Sequence, residues 1–179
     1  MITIPVLYDD HWTRECAKAH DVPPNVEVVA EFNELSSVEE VIEIHSGATY
    51  WVRYVAGPGL IGMVPLIQER TLFAPKYERV RSWSPARTIA LGGNSTSYYP
   101  FEMPGGSMLL GRLPVPLYDP TKSHPAFQEN PSICTIGDRV KIVPITEEEY
   151  EEIEGNFGKY EYSVQPDVFE FELRGDERV

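Results

Sequence analysis

Hydrophobic and polar positions alternate in short segments along most of the chain, a pattern that predicts strands. Residues 2–8 alternate loosely and are rich in β-branched side chains, with Pro5 typical of an edge strand. From residue 49 onward, similar segments are separated by glycine and proline, which favour turns. We therefore predict further strands over residues 50–55, 60–67, 77–83, 88–91, 108–110, 139–145 and 167–173.

Apolar residues at helical spacing are confined to a few short segments. Residues 25–33 and 37–45 predict two short helices near the N-terminus, and a capping box begins the second. Residues 9–24 are polar and predict a loop, with at most a helical turn over residues 12–20. Residues 146–153 predict a last short helix whose glutamates lie at the positive end of the helix dipole.

Short strands at this spacing are typical of a closed β-barrel rather than of a parallel sheet flanked by helices. A chain of 179 residues is long enough for one domain with its own core. We therefore predict a single, mainly β domain over residues 1–179. It is a closed barrel with two short helices near the N-terminus and one short acidic helix near the C-terminus. Residues 174–179 are charged and predict a frayed tail.

The charge balance excludes several classes of partner. Fifteen basic and 28 acidic residues give a formal net charge of −13, which repels phosphate backbones and anionic lipid. Cys16 and Cys134 are too few for a disulfide framework, and the sequence shows neither a signal-peptide pattern nor a long apolar run. We therefore expect a cytoplasmic protein that binds neither nucleic acid nor a membrane.

Motifs of the common catalytic and nucleotide sites are missing. The sequence lacks the phosphate-binding loop, the dinucleotide glycine motif, the zinc-protease helix motif and the hydrolase nucleophile elbow. Cys16 and His20 are spaced to share a helical face, but zinc needs three or four ligands and no second pair is present. We expect no metal site, and a structural role for His45 at the end of its helix.

One segment combines glycines, hydroxyl groups and a guanidinium. Residues 92–100 hold a double glycine, hydroxyl side chains and two tyrosines, and residues 104–106 lead toward Arg112. Backbone amides of glycine loops approach anions, and a guanidinium clamps a carboxylate or phosphate with two hydrogen bonds. The same residues suit two tight barrel turns with Arg112 paired to a neighbouring acid. The residues alone favour neither interpretation.

Several motifs follow one another in a fixed order over nearly the whole chain. They are residues 4–8, 35–42, 92–100, 104–120 and 137–145. In this order they resemble the KipI/allophanate hydrolase subunit 1 family, also called carboxyltransferase subdomain A/B, and in particular its C-terminal, cyclophilin-like domain. The chain resembles a divergent member, because residues 56–65 are remodelled and the family's small N-terminal domain has no counterpart. The resemblance implies a cyclophilin-like closed barrel.

The resemblance also implies a function. The chain would be a subunit of an ATP-dependent amidohydrolase or carboxyltransferase that acts on 5-oxoproline, urea or allophanate. It would work with a KipA-like partner subunit on a small amide or carboxylate ligand, binding no cofactor alone and using ATP with the partner. Two alternatives stay open: a stand-alone barrel that binds or converts a small molecule without ATP, and a regulatory module that inhibits a kinase.

The resemblance finally implies a set of site residues. The catalytic residues would be Arg112 and Tyr99, and the substrate-binding residues Gly93, Thr96, Gly106 and Arg81. Arg112 would hold a carboxylate or phosphoryl oxygen, to which Thr96 and Tyr99 would donate hydrogen bonds. On this hypothesis Arg112→Ala weakens the binding of an anionic ligand without unfolding the protein.

Overall fold

A single β-sheet organises the chain, which a computed structural model describes over residues 1–66 and 70–166. Its strands are β1 (Ile2–Tyr8), β2 (Thr49–Ala56), β3 (Leu60–Pro65), β4 (Thr88–Gly92), β5 (Ser95–Tyr99), β6 (Met108–Arg112), β7 (Arg139–Pro144) and β8 (Ser163–Val164). The helices are α1 (His11–Ala19), α2 (Asn25–Phe32), α3 (Val38–Gly47) and α4 (Glu147–Gly155), with 3₁₀ turns at Pro125–Phe127 and Phe157–Lys159. None of the helices within these described ranges is long and apolar enough to cross a membrane.

The sheet closes on itself as a barrel. The strands follow one another in the order β6-β4-β5-β3-β2-β7-β1, and β6 pairs again with β1. Strand β1 runs parallel to β7 from Ile2 to Val6 and antiparallel to β6 at Leu7 and Tyr8. The short β8 extends the sheet beside the start of β1. The predicted closed, mainly β barrel is confirmed.

Alternate residues of the strands fill the barrel interior. Ile4, Val6, Ile89 and Tyr98 are fully buried in one apolar cluster. Each such side chain stabilises the fold by about 1.5–3 kcal/mol on leaving water. Tyr98 keeps a polar partner, because its hydroxyl accepts a hydrogen bond from the Leu117 amide at 3.0 Å. The barrel is therefore packed with side chains and does not enclose an open channel.

The glycine-rich segment forms a hairpin of the barrel wall. Strands β4 and β5 pair as far as Gly92 and Ser95, which leaves a tight turn in which Gly93 has φ 61°. This left-handed conformation favours glycine. The structure thus shows a tight barrel turn at residues 92–95, and anion binding by this segment stays a prediction. The sequence pattern does not predict β5, because its hydroxyl residues are more typical of loops.

Three helices, rather than the predicted two, separate β1 from β2. The additional helix, α1, lies in the segment predicted as a loop. Asp10 caps it by accepting a hydrogen bond from the Thr13 amide at 2.9 Å, and the helix buries Cys16. Most other residues of α1 are polar, so its apolar stripe is too narrow to predict a helix. The predicted acidic helix, α4, is confirmed, with a complete capping box between Thr146 and Glu149.

Some segments predicted as strands are loops in the structure or form shorter strands than predicted. Residues 77–83 do not form a strand, and Arg81 makes an isolated antiparallel bridge with Gly105. Prolines near both ends of this segment remove backbone donors that a ladder would need. Strand β3 ends at Pro65. The strand predicted over residues 167–173 and the tail predicted over residues 174–179 lie outside the described residues.

Candidate functional site

The predicted site residues do not form one cluster. Thr96 is fully buried inside the barrel and pairs with Leu91 on β4. Arg112 lies on the outer face and pairs with Thr88 at the other end of β4. The structure therefore does not bring Thr96 and Arg112 to one ligand oxygen. Gly93 lies apart in the β4–β5 turn. Tyr99, on the outer face of β5, comes together with Arg81 and Gly106 of the covering loops, because both Arg81 and the Tyr99 ring lie against Gly105.

Thr96 belongs to a hydrogen-bonded network inside the barrel. His45 lies 2.7 Å from the Tyr8 hydroxyl at Nδ1 and 2.9 Å from the Thr96 hydroxyl at Nε2. The Tyr50 hydroxyl donates to the His45 carbonyl at 2.8 Å. One set of hydrogen positions fits the two contacts of the imidazole: Tyr8 donates to Nδ1, and Nε2 donates to Thr96.

This network keeps His45 neutral. Burial lowers the pKa of His45 to about 3, because a charged imidazolium would lose its hydration. Burial also raises the pKa of Tyr8, so its hydroxyl stays protonated and donates. The adjoining cavity has a volume of about 10 Å³, enough for no more than one water molecule. The geometry supports the predicted structural role of His45 and places the fully buried Thr96 beside it in the barrel interior.

Arg112 joins two helices to the barrel wall. Its Nε donates to the Ala86 carbonyl at 3.0 Å and its Nη1 to the Tyr150 hydroxyl at 2.8 Å. The guanidinium carbon lies 4.0 Å from the ring centre of Trp12, which makes a cation–π contact. Trp12 belongs to α1 and Tyr150 to α4. No described carboxylate lies within 4.0 Å of the Arg112 nitrogens, so the acid partner considered for it is not found.

Tyr99 packs in a small apolar cluster outside the barrel wall. Its buried neighbours there include Cys16 and Leu109. Its ring also fills the space in front of Gly105, where a Cβ atom would come within 2.7 Å of it. Tyr99 as a whole is 7% exposed. The catalytic roles predicted for Tyr99 and Arg112 stay predictions.

Arg81 is the buried arginine of the described chain, at 3% exposure. Its Nη1 donates to Asn25 Oδ1 at 3.1 Å, and its Nη2 donates to the Ser107 carbonyl at 2.5 Å. Its guanidinium carbon lies 5.3 Å from the ring centre of Tyr77. Nε, the third nitrogen of the group, is buried and has no hydrogen-bond partner. Of the predicted site residues, Arg81 thus shows unused binding capacity.

A cavity of about 480 Å³ opens beside Arg81. Its lining includes His20, Tyr77, Arg79 and Ser82 as well as Arg81 itself. His20 Nε2 lies 3.2 Å from the Ser82 hydroxyl. Cavities of this size bind small molecules. The structure thus places one predicted substrate-binding residue, Arg81, at a cavity.

A second cavity, of about 570 Å³, lies among aromatic side chains that include His124, Tyr160 and Tyr162. His124 stacks on Phe157 with ring centres 4.9 Å apart, and its Nδ1 accepts a hydrogen bond from the Ala126 amide at 3.2 Å. The Tyr162 hydroxyl donates to a backbone carbonyl at 2.5 Å. These contacts explain the order of the aromatic cluster without a ligand.

Asn25 is central to the Arg81 region, and the sequence analysis does not identify it. Its Oδ1 accepts hydrogen bonds from Arg81 and from the Leu109 amide at 2.9 Å, and its Nδ2 donates to the Tyr77 hydroxyl at 2.9 Å. These partners lie 56, 84 and 52 residues away along the chain. No local pattern reveals them. The local signal, an asparagine at the start of a helix, indicates a cap.

Cys16 and His20 come together as their spacing allows, with Sγ 3.7 Å from Nδ1. The same Nδ1 lies 2.8 Å from the Cys16 carbonyl, to which it donates. Over residues 1–66 and 70–166, no group of three or more His, Cys, Asp or Glu side chains is arranged to hold a metal ion. The pair is therefore explained as a contact within and beside α1.

The barrel and its covering loops define a class of protein, the carboxyltransferase-type domain. The chain superimposes on part of the urea amidolyase of K. lactis with a TM-score of 0.84 at 25% identity, over 94% of this chain and 11% of that one. It also matches a conserved uncharacterized protein of Pyrococcus horikoshii with a TM-score of 0.68 at 35% identity, over 83% of this chain and 61% of that one.

The chain belongs to the family described as carboxyltransferase domain, subdomain C and D, whose sequence profile matches residues 1–128. This confirms the resemblance, with the designation C and D in place of A/B. The chain is 38% identical to the B subunit of 5-oxoprolinase from Bacillus subtilis over 84% of its length, and 32% identical to that of Escherichia coli O157:H7 over 68%. It spans about half of these relatives, 55% and 52%. It is also 28% identical to the urea amidolyase of Lachancea kluyveri, over 93% of this chain and 10% of that protein.

Proposed function

We propose that this chain is the B-type subunit of an enzyme that opens the cyclic amide 5-oxoproline with hydrolysis of ATP, together with a KipA-like subunit. The observation that carries the proposal is the 38% identity to the B subunit of a 5-oxoprolinase over 84% of the chain. A urea-type reaction is the second candidate, favoured by the TM-score of 0.84 with a urea amidolyase. The lower identity to urea amidolyase, 28%, places it second.

The chemistry explains why the chain needs a partner. Opening a cyclic amide adds water across one C–N bond, and amide resonance makes the carbonyl carbon a weak electrophile. ATP would drive the activation of this carbonyl. The sequence carries no phosphate-binding loop, and its net charge of −13 disfavours a polyphosphate. We therefore assign ATP binding to the partner subunit and substrate positioning to the barrel.

The described contacts rank the predicted site residues for that role. The Thr96 hydroxyl is fully buried and hydrogen-bonded to His45, and Arg112 donates to protein groups on two sides. Arg81 also donates to protein groups through both Nη atoms, but its Nε–H is unpartnered and a cavity lies beside the residue. Arg81 therefore supports the proposal best.

Affinity capture of the tagged chain from its own source lysate, followed by mass spectrometry, tests the partnership. We expect a KipA-like chain to co-purify in near-equal amount, and the tag alone to capture none. A chain that elutes alone and monodisperse would contradict the proposal and favour the stand-alone barrel. Co-purification of a kinase without the KipA-like chain would also contradict it, in favour of the regulatory module.

A further inference from the structure

Two buried side-chain atoms of the described chain lack a hydrogen-bond partner, and both lie in one short segment. They are the Nε atom of Arg81 and the Oγ atom of Ser84. Arg81 is 3% exposed and Ser84 is 0% exposed. Buried polar groups are nearly always satisfied, so such exceptions indicate a special role or a missing partner. Residues 81–84 are therefore the place to look for a ligand.

Arg81 also carries a charge that no neighbour balances. Its hydrogen bonds go to the neutral oxygens of Asn25 and Ser107. No described carboxylate lies within 4.0 Å of its nitrogens. Burial lowers the pKa of Arg81, yet a guanidinium stays protonated in proteins. A buried cation without a counter-charge is costly, and a bound anion would offset that cost.

The cavity beside Arg81 is basic although the molecule is acidic. His20, Arg79 and Arg81 line it, and Asp21 is the acidic residue of its described lining. The protein as a whole has a net charge of −13. An anion is therefore repelled by most of the surface and attracted at this cavity.

We propose that this cavity binds a small carboxylate and that Arg81 is the residue that holds it. The edge of the guanidinium that carries Nε–H also carries Nη2, and a carboxylate accepts such a pair with its two oxygens, beside or in place of the Ser107 carbonyl that Nη2 contacts. One carboxylate matches the one guanidinium of Arg81, whereas a phosphate group carries about −1.5 to −2 charges near neutral pH. A volume of about 480 Å³ suits a small molecule.

The site deepens the proposed function, and the use of 5-oxoproline as a probe rests on that function. 5-Oxoproline joins a carboxylate to a cyclic amide. 2-Pyrrolidinone is the same ring without the carboxylate, and acetate is a carboxylate without the ring. Together, these probes separate recognition of the charge from recognition of the ring.

Titration of the purified chain with each probe, followed by NMR of the arginine Nε–H groups, tests the proposal. The Arg81 signal is assigned through its proximity to the Tyr77 ring, and sodium chloride keeps the ionic strength constant. We expect acetate and 5-oxoproline to shift this signal, and 2-pyrrolidinone to leave it in place. This measurement needs no variant, so it decides the question even where a substitution unfolds the protein.

Two arginine variants provide the matched comparison. Arg81→Lys keeps the charge and loses the paired donors, so it should weaken the binding of both carboxylates about tenfold. Arg53→Lys should bind them as wild type does, because Arg53 is exposed on β2 and does not line this cavity. Thermal unfolding of each variant confirms that it is folded.

Three results would overturn the site: an Arg81 signal unmoved by acetate, undiminished binding by folded Arg81→Lys, or an equal loss of binding in Arg53→Lys. The inference and the proposed function fail separately. If 5-oxoproline binds independently of Arg81 and the complex turns it over, the function stands and the site falls. If acetate binds through Arg81 but the complex does not turn over 5-oxoproline, the site stands and the function falls.

Discussion

Within the barrel, His45 connects strands β1, β2 and β5 to helix α3. Its imidazole is hydrogen-bonded to Tyr8 and Thr96, and its backbone carbonyl accepts a hydrogen bond from Tyr50. A second proton on His45 would turn Nδ1 from an acceptor into a donor that faces the Tyr8 hydroxyl. That hydroxyl would have to turn its hydrogen away into buried surroundings, and the imidazolium charge would lie in the core. The folded state is therefore tied to the neutral form of His45.

We predict that His45 makes the protein sensitive to acid. The ordinary pKa of 6.5 applies to the unfolded chain, and burial lowers the folded value to about 3. The unfolded state therefore binds the proton first as the pH falls. The contribution is complete above about pH 6.5 and is lost toward about pH 3, at about 1.4 kcal/mol per pH unit. Urea unfolding at about pH 7 and about pH 5 should show a loss of about 2 kcal/mol.

His45→Gln is the matched variant, because it keeps a donor near the position of Nε2 and takes up no proton. It should be less stable than wild type at neutral pH. Its free energy of unfolding should fall less between neutral and mildly acidic pH. An equal pH dependence in the two proteins would contradict the assignment to His45.

Gly111 shows how closely the backbones approach where β6 meets β1. A Cβ atom there would lie 2.5 Å from the Leu7 carbonyl oxygen and 2.9 Å from the Tyr8 Cα. We predict that Gly111→Ala lowers the free energy of unfolding by about 1–3 kcal/mol, because these backbone atoms cannot move without opening the pairing. Gly47→Ala, at the end of α3 with no atom within 4 Å, should instead add up to about 1 kcal/mol. Thermal unfolding measures both changes. A melting temperature of Gly111→Ala equal to that of the wild type would contradict the close approach of β6 to β1 that closes the barrel.

At the scale of elements, Arg112 fastens α1 and α4 to the end of β6. We predict that Arg112→Ala lowers the free energy of unfolding by about 2–3 kcal/mol, through the lost hydrogen bonds and the lost contact with Trp12. Trp12→Leu leaves both hydrogen bonds in place, so its loss of unfolding free energy should be about 1 kcal/mol smaller than that of Arg112→Ala. Chemical denaturation measures both values. Unchanged stability of Arg112→Ala together with lost turnover in the complex would instead support its predicted catalytic role.

Elements that depend on nearby residues could be predicted from the sequence. Strand β1 has the predicted bounds, and the complete capping box at Thr146 begins α4 as expected. Ser37 caps α3 as expected, but the capping box predicted there is incomplete, because the Glu40 side chain accepts from Ser36 and not from the Ser37 amide. Strand β5 could not be predicted, because Thr96 is tolerated inside the barrel through His45, 51 residues away. The local sequence pattern identifies an edge strand or a helix cap. It does not identify a buried hydroxyl group whose hydrogen-bond partner lies far away along the chain.

The candidate site was harder to predict for the same reason. The sequence supplies Arg81 as a candidate, but arginine is expected at the surface. Its burial depends on Asn25 and on the loops that bring Ser107 over it. Arg112 shows the opposite case: the sequence favours an acid or a ligand as its partner, and the structure supplies Tyr150 and Ala86. Long-range packing decides which arginine keeps a free donor.

At the scale of the whole molecule, the Arg81 cavity has a consequence for turnover by the complex. We predict that Arg81→Lys raises the KM for 5-oxoproline about tenfold and leaves kcat nearly unchanged, because the carboxylate lies away from the amide bond that breaks. Steady-state kinetics of the complex with the KipA-like subunit measures both constants. A fall in kcat at unchanged KM would contradict a binding role.

The central claim is that this acidic barrel is one subunit of an ATP-dependent enzyme that opens a lactam. The most direct measurement is glutamate release and ATP hydrolysis by the chain mixed with its KipA-like partner, with and without 5-oxoproline. We predict that the mixture, and neither chain alone, releases glutamate and that ATP hydrolysis depends on the lactam. A stable complex whose ATP hydrolysis responds to urea and not to 5-oxoproline, or to neither, would contradict the claim.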